Sequence, residues 1–360
     1  MTPTPRVAFD MTFPGRNPAG SGVYATELLG ELTRRDDVSM AAISAQPGSG
    51  FAGTMRWLAR DARRAVAGNQ LVHCPAFVAP WRLGVPFVLT VHDTSTEKYP
   101  EDHPLEWRTY TRLFLAERAR AAARVITGTA HSREEIIHDL GVPAERVAVT
   151  PYGVAERFSP TSAARTAAAD PPQLLFPGAP TRRKNLTLVL DAMANAPPSS
   201  ALLRARLAIT GTTAERFPQH RERIQSLGLE KRVDWRGKVP AGEMLDLIQT
   251  ADLVVYPSLH EGFGFPALEA MAAGTPVLAS NAACLPEVLG DGAMLIDPAD
   301  VRSFIAAAGT LLENSDRRLE MITKGRARAA QFTWRRCAEL TLEVYRKALA
   351  TTSARAPRDR

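Results

Sequence analysis

Along the whole chain, short apolar runs are each followed by a polar, glycine-containing turn and then by a segment of helical period, and this rhythm constrains the fold more than any other feature. A strand that re-enters its own sheet in parallel needs a long, usually helical crossover, so the repetition predicts an α/β fold with parallel sheets. In the first half it predicts strands at Arg6–Asp10, Met40–Ser44, Leu71–Pro75, Phe87–His92, Arg124–Gly128 and Val147–Pro151. A second set follows at Gln173–Pro177, Leu207–Gly211, Val233–Gly237, Leu253–Pro257, Pro276–Ser280 and Met294–Asp297. Runs such as Leu253-Val254-Val255-Tyr256 do not alternate, as expected of parallel strands covered on both faces. Between the sets lies a long Ala/Ser/Thr/Pro stretch from Ser159 to Arg165, ending in Ala169-Asp170-Pro171-Pro172. The expected organisation is therefore two doubly wound domains, 1–158 and 173–332, with a linker at 159–172. A length of 360 residues suits two domains.

The formal charge is +6, from 44 Lys and Arg against 38 Asp and Glu, a mild excess suited to phosphates and not to nucleic acid. Three widely spaced cysteines, Cys74, Cys284 and Cys337, form no Cys-x-x-Cys pair, which argues against a disulfide framework or a zinc site. The N-terminal residues lack an apolar signal core, and no run is long enough to span a membrane. The expected location is the cytoplasm, free or peripheral on the inner face of a membrane.

In open parallel sheets, ligands bind beyond the carboxyl ends of the strands, where the strand order reverses. The richest such junction is His260-Glu261-Gly262-Phe263-Gly264-Phe265-Pro266-Ala267-Leu268-Glu269-Ala270-Met271, directly after a predicted strand. It holds two carboxylates with seven residues between them. The glycines let backbone approach a ligand, Pro266 suits a first helical turn, and the N–H groups of that turn attract anions. Carboxylates are good partners for sugar and ribose hydroxyls. This string, with Ala273-Gly274-Thr275-Pro276-Val277 and Leu285-Pro286-Glu287-Val288, resembles the Glu-x7-Glu element of the family 4 retaining glycosyltransferases, two-domain enzymes of the GT-B fold. The resemblance implies two Rossmann-like domains facing across a cleft, with Glu261 at the donor sugar and Glu269 on the ribose. It also places Gly262, Phe263, Gly264, Phe265 and Leu268 in the donor site.

A second anion site is predicted at Pro177-Gly178-Ala179-Pro180-Thr181-Arg182-Arg183-Lys184-Asn185-Leu186. Three cations at a helix N-terminus oppose the local dipole unless a phosphate lies between them. The resemblance gives Arg183 and Lys184 the donor diphosphate, beside Gly178. Many family members have Arg where this chain has Ala179, which leaves the division between Arg182 and Arg183 open. In the first half, Gly15–Tyr24 looks like the family's glycine loop, with Gly22 nearest the phosphates. His92, in Val91-His92-Asp93-Thr94, matches a family His-Asp and is expected at the donor sugar or acceptor; Asp93 reads as a cap. Ser132 and Glu135 read as a capping box. Tyr152-Gly153-Val154 resembles an Asn-Gly-Val hinge with Tyr152 in place of Asn. The segment after Gln331 resembles a helix that returns to the first domain over 333–350, leaving 351–360 as a disordered tail.

Two Arg-rich segments, Met55–Val66 and Trp107–Arg124, read either as solvated faces or as docking sites for anionic lipid. The resemblance implies a nucleotide-diphosphate sugar as co-substrate, a glycan or lipid-linked glycan as acceptor, and no cofactor or metal. The form Arg183-Lys184-Asn185-Leu186 resembles members that use GDP-mannose, with UDP-glucose and UDP-N-acetylglucosamine as alternative donors. A sugar-nucleotide 2-epimerase and a non-catalytic sugar-nucleotide scaffold are competing readings.

Overall fold

A computed structural model describes residues 4–16, 20–46, 50–159 and 167–353. Among these residues all twelve predicted strands form, most of them one or two residues shorter than the apolar runs. They are β1 (Arg6–Asp10), β2 (Ser39–Ile43), β3 (Leu71–Cys74), β4 (Phe87–Thr90), β5 (Arg124–Thr127), β6 (Val147–Val149), β7 (Gln173–Phe176), β8 (Arg206–Thr210), β9 (Val233–Gly237), β10 (Leu253–Tyr256), β11 (Val277–Ser280) and β12 (Met294–Ile296). They build two six-stranded sheets, ordered β2-β1-β3-β4-β5-β6 and β12-β11-β10-β7-β8-β9. Every pairing is parallel.

Burial follows the period of two. In the second sheet Leu174, Phe176, Leu207, Ile209, Leu253 and Val255 share one core with the helices Leu186–Asn195 and Val301–Glu313. The helices Ala241–Thr250 and Phe265–Ala273 contact strands β7, β10 and β11. In the first sheet Ala8, Val72, Leu89 and Val125 pack with Leu115, Ala119 and Ile136. A buried polar network surrounds His73 of β3: its Nδ1 lies 2.7 Å from the Tyr345 hydroxyl and its Nε2 2.8 Å from Thr90 Oγ1. Tyr345 comes from the helix Trp334–Ser353, so the C-terminal segment completes the first unit.

The chain divides into two compact units, one of residues up to 153 with those from 333 on, the other 154–332. The change of unit falls at Gly153, ahead of the expected linker, because the chain is already committed there. Val154 N–H donates to the Phe332 carbonyl at 3.0 Å, and the short turn Glu156–Phe158 packs on the helix Phe265–Ala273. Residues 160–166 of the expected linker lie outside the described residues. The expected tail needs correction at its start: the last helix continues through Ser353, where Thr351 bonds the Lys347 carbonyl and accepts from Arg124 at 3.1 Å. The rest of the tail lies outside the described residues. All three cysteines are buried and form no disulfide.

Candidate active site

The strand order of the second sheet reverses between β7 and β10, and the turns leaving those two strands carry the predicted cations and acid. The turn after β7 has Gly178 at φ 101°, a left-handed conformation that favours glycine, and its N–H donates to Thr210 Oγ1 at 3.0 Å. Arg182–Lys184 then form one 3-10 turn. Asn185 follows at φ 58° and donates its side-chain amide to the carbonyls of Pro257 (3.3 Å) and Pro298 (2.9 Å). Leu259 N–H donates to the Arg183 carbonyl at 2.7 Å. These bonds stitch the two turns together.

Across that seam, Glu261 meets both cations. Lys184 Nζ lies 2.5 Å from Oε1, and Arg183 Nη1 lies 3.1 Å from Oε2. Arg183 also donates to the His260 carbonyl at 3.0 Å. Lys184 donates to the Tyr256 hydroxyl at 2.7 Å and stands 4.4 Å from the centre of that ring. Lys184 and Glu261 are 9% and 6% exposed. Burial alone would raise the Glu261 carboxyl, but Lys184 and Arg183 outweigh it and hold the group at about 2. Burial and the Glu261 charge push the Tyr256 phenol well above its ordinary value, so it stays neutral. The result is a carboxylate fixed in its charged form beside two cations. Arg182, by contrast, is exposed, so Arg183 is the inward cation of the pair.

Past Glu261, Gly264 caps the helix Phe265–Ala273 at φ 89°, with Pro266 in its first turn. A Cβ at Gly264 would stand 2.8 Å from a Leu285 methyl. Gly262 and Phe263 are buried, and Phe263 packs edge-on against Phe332 at 5.8 Å. Phe265 and Glu269 are half-buried. Leu268 is fully buried, so its side chain packs in the core instead of lining an open site.

In the first unit, His92 directly follows β4 and the residue after it. Its Nδ1 is 2.8 Å from the Tyr152 hydroxyl and its Nε2 3.2 Å from the Pro75 carbonyl. Burial pushes it down to about 4. Gly22 is buried in the first turn of the helix Ser21–Thr33, after Gly20 at φ 49°; residues 17–19 of the glycine loop lie outside the described residues. Asp93 is expected to cap; the cap position of the helix Ser95–Lys98 is Thr94, and Asp93, one residue ahead of it, accepts from Ser95 N–H at 2.9 Å. The capping box at Ser132 is corrected. Thr129 is the cap, its hydroxyl accepting from Ser132 N–H at 3.1 Å, while Glu135 pairs with Lys98. Of the Arg-rich segments, Arg118 is buried against the carbonyls of Pro80 and Trp81, whereas Arg60, Arg63, Arg64, Arg108 and Arg112 are exposed.

Four residues of the second site escaped sequence reasoning. In the sequence Tyr256 is only the last residue of an apolar strand, and Asn185 only the residue after the cations. Thr210 and Gly211 arrive from β8; a Cβ on Gly211 would stand 2.5 Å from Ala179 N, so its lack of a side chain lets the two turns touch. A tyrosine ending an aliphatic run at a strand's carboxyl end was the one available signal.

Residues 160–328 match the family Glycosyl transferases group 1, and residues 18–157 match Glycosyltransferase Family 4. The O-antigen chain mannosyltransferase B of Escherichia coli is 31% identical over 81% of this chain and 76% of its own length. The MMP alpha-(1->4)-mannosyltransferase of Mycolicibacterium hassiacum is 32% identical over 76% of this chain and 68% of its own. A D-inositol 3-phosphate glycosyltransferase of Kineococcus radiotolerans is 30% identical over 95% and 93%. Among solved structures, the sucrose-phosphate synthase of Thermosynechococcus elongatus superposes with a TM-score of 0.78 at 22% identity, covering 96% of this chain and 100% of that one. Anabaena Alr3699/HepE, solved with UDP and glucose, gives 0.73 at 19% identity over 95% and 99%.

Proposed function

The chain belongs to the family 4, group 1 glycosyltransferases of the GT-B fold, and from that premise we propose that it is a retaining, metal-independent hexosyltransferase acting on a nucleotide-diphosphate sugar. The observation that carries this reading is the convergence of Arg183, Lys184 and Glu261 at the strand reversal of the second sheet. Transfer breaks the bond between the anomeric carbon and the leaving phosphate, so negative charge grows on the diphosphate. Arg183, Lys184 and the helix N-terminus after Gly264 supply the opposing charge, and Glu261 and Glu269 accept hydrogen bonds from sugar and ribose hydroxyls. Same-face attack forms the new bond to the acceptor oxygen, and the acceptor's proton passes to the leaving phosphate. Positive charge at the phosphates comes from side chains in this scheme, which therefore needs no metal or cofactor.

GDP-mannose is the proposed donor, supported by the two mannosyltransferase relatives and by the Arg183-Lys184-Asn185-Leu186 turn. UDP-glucose is the second choice. The test is acceptor-free incubation with GDP-mannose, UDP-glucose, UDP-galactose and UDP-N-acetylglucosamine, following released nucleotide and free sugar by mass spectrometry. Slow, selective hydrolysis of GDP-mannose is the expected result; selective use of a UDP-sugar replaces the donor. An epimerised nucleotide sugar as product would overturn transfer.

A glycan or lipid-linked glycan acceptor at an anionic membrane surface completes the proposal. No helix among the described residues is long and apolar enough to cross a membrane. What favours a peripheral place is the segment Leu105–Ala121, where Leu105 and Leu113 are 71% and 61% exposed beside exposed Arg108 and Arg112. Co-sedimentation with anionic but not neutral vesicles, lost in Leu105→Asp/Leu113→Asp, is the expected outcome; no binding by wild type removes this part.

A further inference from the structure

One imidazole ties together three strand ends of the first unit. Pro75 follows β3, His92 lies two residues beyond β4, and Tyr152 lies three beyond β6. The ring of His92 is enclosed by three aromatic rings in edge contact: Tyr24 at 5.1 Å and 83°, Phe77 at 5.1 Å and 66°, and Tyr152 at 5.5 Å and 77°. Phe77 holds its place at φ 57°, a conformation a bulky side chain rarely adopts, with its N–H bonded to the Thr90 carbonyl at 2.8 Å. Tyr152 is 1% exposed and lies parallel to the Trp334 ring, at 6.5 Å and 10°. The position of its hydroxyl is therefore set by packing.

These contacts determine the tautomer. A carbonyl only accepts, so the nitrogen facing Pro75 carries the hydrogen. A neutral imidazole has one N–H, so Nδ1 must accept, and the hydrogen in the 2.8 Å contact belongs to Tyr152. The groups around the ring favour the neutral form: burial opposes a proton on His92 and outweighs Asp93 and the Pro75 carbonyl, which favour one, and burial raises the Tyr24 phenol well above its ordinary value, so that it carries no charge.

We propose that Tyr152 is a positioning residue of the transfer reaction: its hydroxyl holds His92 as the neutral Nε2–H imidazole, which donates to a substrate oxygen in place of the Pro75 carbonyl. The bond to Pro75 is the longer of the two, at 3.2 Å, and is the one exchanged. With Nδ1 filled by Tyr152 and Nε2 carrying a hydrogen, His92 has no lone pair for the acceptor's proton. It orients substrate and does not act as a general base. The inference rests on the transferase reading, and it gives a role to a tyrosine standing where the family's hinge sequence has asparagine.

The experiment is long-range proton–nitrogen NMR on protein carrying 15N-histidine, with His92→Gln to assign the signals, on wild type, Tyr152→Phe and Tyr345→Phe. Wild type should show His92 with Nε2 protonated and Nδ1 bare from pH 6 to 8. Tyr152→Phe should give mixed tautomers and an upward-moved titration of His92. Its acceptor-dependent kcat should fall about tenfold, the loss of one hydrogen bond, with the acid limb of the pH profile displaced upward. Tyr345→Phe removes a comparable hydroxyl from His73 and should lower the melting temperature while leaving the His92 signals and the pH profile in place. A protonated Nδ1 in wild type overturns the proposal. So does Tyr152→Phe with unchanged His92 signals, or with altered signals and unchanged turnover. Absence of any donor turnover by wild type overturns the transfer reading, a result that leaves the NMR outcome separately readable.

Discussion

Lys184 Nζ lies 2.5 Å from Glu261 Oε1, while the other oxygen of the same carboxylate meets Arg183 at 3.1 Å. The two cations proposed for the diphosphate thus share one internal anion, and an arriving phosphate competes with Glu261 for them. Glu261→Gln keeps the shape and removes the competing charge. Affinity for GDP or UDP should therefore rise, by about tenfold if about 1.4 kcal/mol of the pairing is released. Turnover should fall about 100-fold or more, as for loss of a preorganised polar group at a reacting centre. Calorimetric titration beside steady-state rates checks both signs; weaker nucleotide binding would mean that Glu261 organises the cations more than it competes for them.

The reverse substitution isolates the cost of the pair. Lys184→Ala leaves Glu261 buried with Arg183 as its remaining cation beside the neutral Ser258 and Tyr256, and breaking a buried ion pair from one side costs about 3–5 kcal/mol. Adding Glu261→Gln should restore part of that loss while activity stays absent, since an amide needs no counter-charge. The pH dependence has a definite sign. Glu261 has a folded value of about 2 against an ordinary 4.5, so its contribution is full above 4.5 and disappears as pH falls through 2. Urea denaturation of the single and double variants at pH 7 and pH 3.5 reads both effects.

Gly211 offers a test that touches no proposed ligand contact. It sits at φ 90°, and a Cβ there would stand 2.5 Å from Ala179 N and 2.7 Å from Gly178 C. Backbone cannot swing aside as a side-chain tip can, so Gly211→Ala must displace the turn that carries Arg183 and Lys184. A destabilisation of at least about 2 kcal/mol and a clear loss of nucleotide affinity are expected. Gly178→Ala is the comparator: it shares the left-handed conformation, but a Cβ there meets nothing within 4 Å. It should cost only about 1 kcal/mol. Equal losses of stability in the two variants would mean that the backbone clash at Gly211 adds nothing to the cost of the left-handed conformation.

The strands were legible because each is a short apolar run closed by turn-forming residues, and Arg183, Lys184 and Glu261 because they sit directly after two of those runs. What escaped depends on partners far along the chain. Tyr152 and Tyr256 are ordinary strand-end aromatics until their hydroxyls meet His92 and Lys184, 60 and 72 residues away. Ser132 fits a capping pattern with Glu135, yet the helix starts a turn earlier because Thr129 is extended and can cap it. Residues 351–353 read as tail by composition, but Arg124 holds Thr351 in the helix. Local chemistry located the reactive turns, and long-range packing decided which side chains support them.

The buried histidines of the first unit make its stability depend on pH. Burial lowers His73 to about 3 and His92 to about 4, against an ordinary 6.5. Below pH 6.5 the unfolded chain takes up protons that the folded unit refuses, so stability falls with pH and goes on falling until the folded values are reached. At pH 5 each histidine should have withdrawn about 2 kcal/mol relative to pH 8. Asp10 works in the opposite sense: burial raises its carboxyl, despite bonds from Thr12 N–H and Trp57 Nε1. The wild-type slope is therefore a difference, and the comparison with His73→Gln carries the test. Between pH 8 and 5, His73→Gln should lose about 2 kcal/mol less than wild type, even though it starts lower at pH 8 through loss of the bonds to Tyr345 and Thr90. Parallel slopes for the two proteins would mean that His73 takes up its proton in the folded unit.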